Sequence, residues 1–298
     1  MNINELVQIL CCPCCKSNLE ITQHMLICRK CSGKVLSTGR LLDFRALVPQ
    51  IPLHFARYTQ KLHEQAGQTM PDIPIDGRVQ AILDKARMLG AGDVCLEIGG
   101  ADGVMTQCLE SLYTTVLSLD FGMSFLERVE KKTKKTICLC GDTHFLPLRD
   151  RSVNLVVCSE VLEHVAVPTQ LMLEIRRVLT SGGKCILSVP NEETLNFLMT
   201  GRKTKQIPGC DSHVTFYTAA TLRKFLFRMG FDILEFRYLS APLKMSISPR
   251  KIISSLKGML FPSHLFCLIQ PMKRPDIYWE SLSFAIGSDV NHGILNGE

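Results

Sequence analysis

The chain has 298 residues, 46% hydrophobic and 21% charged, which excludes disorder over most of its length and allows one α/β domain plus a small extra module. A net charge of +6 falls short of the field that a strongly nucleic-acid-binding domain presents. The first ten residues carry no basic start leading into an apolar stretch, and no run of about 18 apolar residues marks a membrane span, so a cytoplasmic protein is expected.

Three zones follow in chain order. Residues 1–45 are short, turn-rich and cysteine-rich, with six of the chain's 14 cysteines. Residues 46–76 form a linker in which a helix is expected over 53–65. Residues 77–275 alternate helix-like and strand-like patterns, and the tail over 276–298 carries no interpretable motif. In the large zone, Val79, Ile82, Leu83 and Ala86 give a helix over 78–89. Strands are expected over 93–98, 114–119, 136–140, 153–158, 184–189, 231–239 and 265–270. Helices are expected over 104–112, 124–131, 168–179 and 218–229. Gly182-Gly183 reads as the stop signal of the third of these helices. The fold class is therefore α/β: a seven-stranded, mostly parallel Rossmann-like sheet with helices on both faces, plus a small N-terminal module.

Ligands of such sheets bind beyond the carboxyl ends of the strands, where the strand order switches. The first strand of the large zone ends in Glu97-Ile98-Gly99-Gly100-Ala101-Asp102-Gly103. Glycines there let a ligand approach the backbone, so this is either a nucleotide-binding loop or a plain tight turn. Asp120 ends the next strand, 21 residues after Gly99. A carboxylate at that point can accept from both hydroxyls of a ribose. Gly141-Asp142-Thr143 ends the third strand, and the fourth runs into Ser159-Glu160-Val161-Leu162-Glu163-His164-Val165.

Taken in order, E-x-G-x-x-x-G, the strand-end Asp, G-D-x-x-x-L-P-L and V-L-E-H-V resemble the class I S-adenosylmethionine (SAM) dependent methyltransferases. The similarity is greatest to the branch that includes ubiquinone and menaquinone methyltransferases. The resemblance covers about residues 78–275. It implies that Glu97, Gly99, Gly100 and Gly103 line the methionine and ribose part of SAM. Asp120 would hold the ribose hydroxyls, Phe121 would pack on the adenine, and Asp142 and Thr143 would contact its edge. Ser159 and Glu160 would lie near the methionine. Ala101 replaces the family's usual middle glycine and is expected in an ordinary backbone conformation. His164, Glu163 and His213 are the candidate catalytic groups. Glu160, Glu163 and His164 with His213 also resemble the set that binds a divalent cation in some family members.

Cys12, Cys15, Cys28 and Cys31 form a C-x₂-C-x₁₂-C-x₂-C array, suited to structural zinc. Cys11 and Cys14 offer a competing register for the first pair. The stretch around Leu10, Cys12, Pro13, Cys15 and Leu19, with Leu42-Asp43-Phe44, resembles the zinc ribbon of the tRNA-methyltransferase activator type, which favours Cys12 and Cys15. Such a module would hold substrate or dock on the larger domain.

Within the enzyme reading, the expected acceptor is a small molecule or a lipid-linked molecule. Apolar and basic residues interleave over 242–262, which reads as a lid, a core-packing insert or an amphipathic segment in peripheral membrane contact. The alternative is RNA, suggested by the zinc ribbon and by basic stretches over 131–135 and 202–205. A non-catalytic SAM-fold scaffold is the second alternative.

Overall fold

The computed structural model describes residues 3–22, 25–48, 67–72, 74–90, 92–192, 213–239 and 263–273. The expected helix over 53–65, the basic stretch over 202–205, the insert over 242–262 and the tail over 276–298 lie outside them. Among the described residues no helix is long and apolar enough to cross a membrane.

The N-terminal zone contains α1 (Ile3–Ile9) and strands β1 (Leu19–Ile21), β2 (Met25–Cys28), β3 (Lys34–Thr38) and β4 (Leu41–Asp43). There follow α2 (Gly77–Leu89), β5 (Val94–Ile98), α3 (Val104–Leu109), β6 (Thr115–Asp120), α4 (Met123–Lys132), β7 (Ile137–Cys140) and β8 (Val153–Ser159). The remaining elements are α5 (Pro168–Val178), β9 (Leu179–Pro190), α6 (Ala219–Arg228), β10 (Phe231–Leu239) and β11 (His264–Pro271).

The sheet has eleven strands, not the seven expected, in the order β1-β2-β3-β4-β7-β6-β5-β8-β9-β11-β10. The difference lies in the N-terminal zone. Leu41, Leu42 and Asp43 of β4 pair in parallel with Cys138, Leu139 and Cys140 of β7, so the ribbon extends the large sheet. Pairing is parallel from β4 through β9 and antiparallel in the outer strands on both sides.

Both faces are covered. Val79, Ile82, Leu83 and Ala86 of α2 and Leu109 of α3 pack with Cys95, Val116 and Val157 on one face. On the other, Leu96, Ile98, Leu119 and Val156 share a core with Leu171 and Ile175 of α5 and Leu222 and Leu226 of α6. That second core continues into Leu6, Leu10, Leu26, Val35, Leu42, Phe44 and Leu47. Polar contacts fix the same seam. The Phe44 N–H donates to Cys140 O at 2.8 Å and the Cys11 N–H to Pro147 O at 3.0 Å. Lys16 and Arg177 both bond Glu174, at 2.8 and 2.7 Å.

Gly182-Gly183 does not stop α5. The helix ends at Val178, because Leu179 already has an extended backbone, φ −67° and ψ 133°. The glycines lie within β9, where the register jumps from Val153↔Leu179 to Leu155↔Lys184. A Cβ on Gly183 would lie 3.0 Å from Val153 O, so the bulge needs a bare backbone at that point.

Candidate active site

Strand order reverses around β5, whose neighbours are β6 and β8. Ligands of doubly wound sheets gather at such a switch point. There the 97–103 loop leaves β5. Gly99 and Gly103 have φ +77° and +81°, a region glycine enters without steric cost. A Cβ on Gly99 would come within 2.4 Å of Val161 Cγ2, and one on Gly100 within 2.1 Å of Ser118 Oγ. The loop is thus a cradle that side chains would fill.

Ala101 departs from expectation. The Gly103 N–H donates to Gly100 O at 2.9 Å, and this tight turn holds Ala101 at φ +44°. That is left-handed backbone, costing about 1–2 kcal/mol for a residue with a Cβ.

Glu97 lies under the loop, 1% exposed. Thr106 of α3 donates a hydroxyl hydrogen bond to its Oε2, and Oε1 is buried with no partner. Burial, with the charges of Asp102 and Asp120 nearby, pushes its carboxyl up to about 7 despite the Thr106 hydrogen bond. Asp120 is buried at the end of β6, and its Oδ1 accepts from the Gly122 N–H at 2.8 Å. Phe121 beside it is half-buried.

Asp142 ends the β7 segment but is engaged within the protein. Its Oδ1 accepts from the His144 N–H at 2.9 Å and lies 2.5 Å from His144 Nδ1. His144 Nε2 accepts from the Val167 N–H at 3.1 Å, so the ring proton resides on Nδ1 and is donated to Asp142. Thr143 is half-buried beside the pair.

At the end of β8, Ser159 Oγ lies 2.8 Å from Ser188 Oγ, and the Ser188 hydroxyl donates to Glu160 Oε1 at 3.0 Å. Glu160 Oε2 is 3.5 Å from His264 Nε2. Glu160 also has φ +56°, a strained conformation of the kind that clusters at functional sites.

Glu163, His164 and His213 form a separate group, their potential ligand atoms within 4.8 Å of one another. The two imidazole centroids are 4.8 Å apart, edge to face. The backbone carbonyl of Glu163 accepts from Val214 and Thr215 at 2.7 and 3.1 Å, which brings the His213 segment onto this turn. Glu163 is 2% exposed, and neither carboxylate oxygen has a hydrogen-bond partner. Burial, reinforced by the Glu160 charge, pushes its carboxyl up to about 8. Burial lowers His213 below the usual imidazole range. Glu160 does not join this group, because Ser188 and His264 hold its carboxylate; the four-residue cation set is reduced to three.

In the N-terminal zone the four sulfurs of Cys12, Cys15, Cys28 and Cys31 also lie within 4.8 Å of one another. Sγ–Sγ distances are 3.7 Å for Cys12–Cys31 and 3.4 Å for Cys15–Cys28. Cys11 is diverted: its thiol donates to Leu148 O at 3.1 Å. Cys14 is exposed.

Sequence reasoning passed over Thr106, His144 and Ser188, which contact Glu97, Asp142 and Glu160, and Ser118, whose Oγ would meet a Cβ on Gly100. Ser118 and Ser188 carried a usable signal, since each interrupts an apolar run, Val116-Leu117-Ser118-Leu119 and Ile186-Leu187-Ser188-Val189.

Comparison with known proteins bears on the family. Residues 96–187 match the methyltransferase domain family Methyltransf_11. A Mycolicibacterium smegmatis protein named as an SAM-dependent methyltransferase is 31% identical over 143 residues, 48% of this chain and 53% of the relative. The chain spans between about a third and a little over half of the first curated relatives it matches, 32%, 53% and 32%. The fold resembles the N-methyltransferase NodS of Bradyrhizobium japonicum, solved with S-adenosyl-L-homocysteine (TM-score 0.53, 16% identity, 72% of this chain and 98% of that one). It also resembles a chain from a complex of the Haloferax volcanii Trm112 methyltransferase activator with a methyltransferase (TM-score 0.54, 18% identity, 70% and 97%). The match over residues 96–187 and the names of the relatives mark this chain as carrying an SAM-dependent methyltransferase domain.

Proposed function

We propose that the protein transfers a methyl group from SAM to an O, N or C nucleophile of a small-molecule or lipid-linked acceptor. The observation that carries this reading is the cradle over 97–103 at the β5–β8 switch point, with Gly99 and Gly103 left-handed and Asp120 ending the neighbouring strand. SAM supplies an activated methyl group, so the protein has to align the nucleophile and take its proton. Gly99, Gly100 and Gly103 offer close backbone approach, with Glu97 bracing the loop from below. Asp120 would accept from ribose hydroxyls, and Phe121 would lie against the adenine. Thr143 would reach the adenine edge alongside Asp142, whose Oδ1 already serves His144. Ser159 and Glu160 would face the methionine portion.

Glu163 is the proposed general base. It is a buried carboxyl whose oxygens make no hydrogen bond, with Oε1 3.7 Å from His164 Nε2, and its raised affinity for protons matches proton abstraction near neutral pH. His164 and His213 beside it would relay the proton outward. The acceptor class is supported by Val214 and Phe216, exposed apolar residues at 40% and 55% directly after His213. RNA is less favoured, because part of the basic run over 131–135 is already engaged. Lys132 pairs with Asp72 and Asp102 at 2.7 and 3.6 Å, and Lys135 Nζ bonds Tyr113 O at 3.0 Å. Methyl transfer from labelled SAM into a whole-cell extract, fractionated into RNA, lipid and small molecules, tests this: label in the RNA fraction alone would overturn it.

Cys12, Cys15, Cys28 and Cys31 are proposed to hold structural zinc in a ribbon of the activator type. A tetrahedral site with Zn–S arms of about 2.3 Å has edges of about 3.8 Å, close to the observed 3.7 Å. The Lys30 and Cys31 N–H groups point at Cys28 Sγ at 3.4 and 3.5 Å, which suits a thiolate. One zinc per chain by metal analysis, lost in Cys28→Ser, is the expected result.

A second reading of the Glu163 group rests on its ligand atoms lying within 4.8 Å of one another. Glu163, His164 and His213 would hold a divalent cation, which lowers the pKa of an acceptor hydroxyl. Activity that persists in a chelator while the zinc is retained removes this reading.

A further inference from the structure

His144 is buried and takes no part in the chemistry described above. Its ring is bonded on both sides. Nδ1 donates to Asp142 Oδ1 at 2.5 Å, and Nε2 accepts from the Val167 N–H at 3.1 Å. The His144 carbonyl accepts from Gln170 Nε2 at 3.2 Å. Val167 is the N-cap of α5, and Gln170 lies in its first turn. One imidazole thus joins the end of β7 to the chain that leaves the Glu163 turn. The Val167 N–H can only donate, so Nε2 is the bare nitrogen. The single ring proton of a neutral imidazole then belongs to Nδ1 and points at Asp142.

That proton decides what Asp142 offers to a ligand. Oδ1 receives two donors, the His144 backbone N–H at 2.9 Å and the ring. Oδ2 makes no hydrogen bond or ion pair among the described residues, and the Asp142 side chain is 19% exposed. With one oxygen held twice, the carboxylate has a fixed rotation and presents a single free acceptor. An amino group can donate to such an oxygen, whereas a carbonyl oxygen in the same place is repelled by it.

We propose that His144 is the positioning residue that sets the base specificity of the cofactor pocket: its Nδ1 proton fixes Asp142 so that Oδ2 selects the amino group of adenine and rejects the oxygen that hypoxanthine carries there. This role rests on the methyltransferase reading, which puts Asp142 at the adenine edge. His144 itself does not touch the cofactor. Its second bond, to Val167, ties down α5 and is not needed for the selection.

Calorimetry on the full chain uses two probes, S-adenosylhomocysteine and S-inosylhomocysteine, which has a carbonyl oxygen in place of the amino group. The wild type should prefer the first by about 100-fold or more. Two substitutions separate the ring nitrogens. Asparagine puts an amide nitrogen near the place of Nδ1, so His144→Asn keeps a donor for Asp142 and drops the acceptor for Val167. Glutamine puts its carbonyl near the place of Nε2, so His144→Gln keeps that acceptor and drops the donor. H144N should retain the preference, and H144Q should lose about 10-fold of it. Equal loss in both makes His144 a packing residue and overturns the role; so does a preference unchanged in H144Q, or lost in H144N alone. Should either variant fail to give a cooperative melt, Asp142→Asn decides. There His144 still donates to the amide oxygen, the NH₂ is left for the base, and the preference should reverse; a preference for adenine that persists, or merely vanishes, overturns the role. A wild type that binds both nucleosides equally keeps the pocket and removes the selection by Asp142. One that binds neither refutes the SAM pocket, and the role of His144 with it.

Discussion

Glu97→Gln isolates one buried acid and gives a number to check. Its carboxyl sits beneath the cradle, with one oxygen bonded by Thr106 and the other without a partner. Burial lifts it from 4.5 to about 7. Between those values the folded protein keeps a proton that the unfolded chain has released. The folded state then binds more protons than the unfolded one, so stability falls as pH rises through this window and levels off above it. At about 1.36 kcal/mol per pH unit, the loss across the whole window comes to a little over about 3 kcal/mol. Glutamine has the same shape and no proton to lose, so E97Q should lack this component. Other titrating groups, Glu163 among them, are common to both proteins and cancel in the comparison. Urea denaturation of both at pH 5 and pH 8 measures it. E97Q should gain about 2–3 kcal/mol on the wild type in going from the lower to the higher pH. A difference between the two proteins that does not change with pH would refute the placement of an ionisable Glu97 under the loop.

Three further outcomes follow from the site. Ala101→Gly removes a left-handed alanine; after the entropy cost of glycine the gain should be about 0.5–1 kcal/mol, a rise of a few degrees in thermal melting. A lower Tm would show that residue 101 is not in that conformation. Glu163→Gln should reduce kcat/KM by about 10²- to 10⁴-fold. The wild-type rate should climb with pH through about 8 as the carboxyl ionises, and a variant that keeps this limb assigns it to another group. Removing zinc with a strong chelator should lower the Tm and weaken S-adenosylhomocysteine binding together, because β4 is hydrogen-bonded to β7; loss of the metal with neither change would uncouple the ribbon from the domain.

How much of this was readable from the chain depends on the reach of each interaction. The helices and strands of the large zone follow from hydrophobic period, and their ends shifted by only a residue or two at most places. Gly182-Gly183 misled because two adjacent glycines serve a β-bulge as well as a helix stop, and the choice is made by the carbonyl of Val153 on another strand. Ala101 misled for a related reason: the Gly100–Gly103 hydrogen bond dictates its backbone, whatever residue stands there. Spacing singled out candidate cysteine ligands but left two registers for the first pair, Cys11 with Cys14 or Cys12 with Cys15, and only the resemblance favoured the second. The Leu148 carbonyl makes that choice, 137 positions away, by engaging the Cys11 thiol.

The parallel pairing of β4 with β7 is the least local feature and alters the status of the cysteine ribbon. Four short N-terminal strands would expose an edge at β4 that invites pairing with other chains, and a module of that size buries too little apolar surface to stand alone. Docking β4 on β7 addresses both needs. It also ties the ribbon to the cofactor end of the sheet: Asp43 is opposite Cys140 in the ladder, Phe44 bonds the Cys140 carbonyl, and the next residues are Gly141, Asp142 and Thr143. The Phe44 Cβ lies 3.7 Å from where a Cβ on Gly141 would be. A change in the cysteine knuckles has a path of backbone hydrogen bonds to the segment proposed to meet the adenine. The ribbon is therefore a wall of the large domain as much as an appendage to it, and a metal held by the proposed cysteine set is expected to act on cofactor binding through β4 rather than through contact with the substrate.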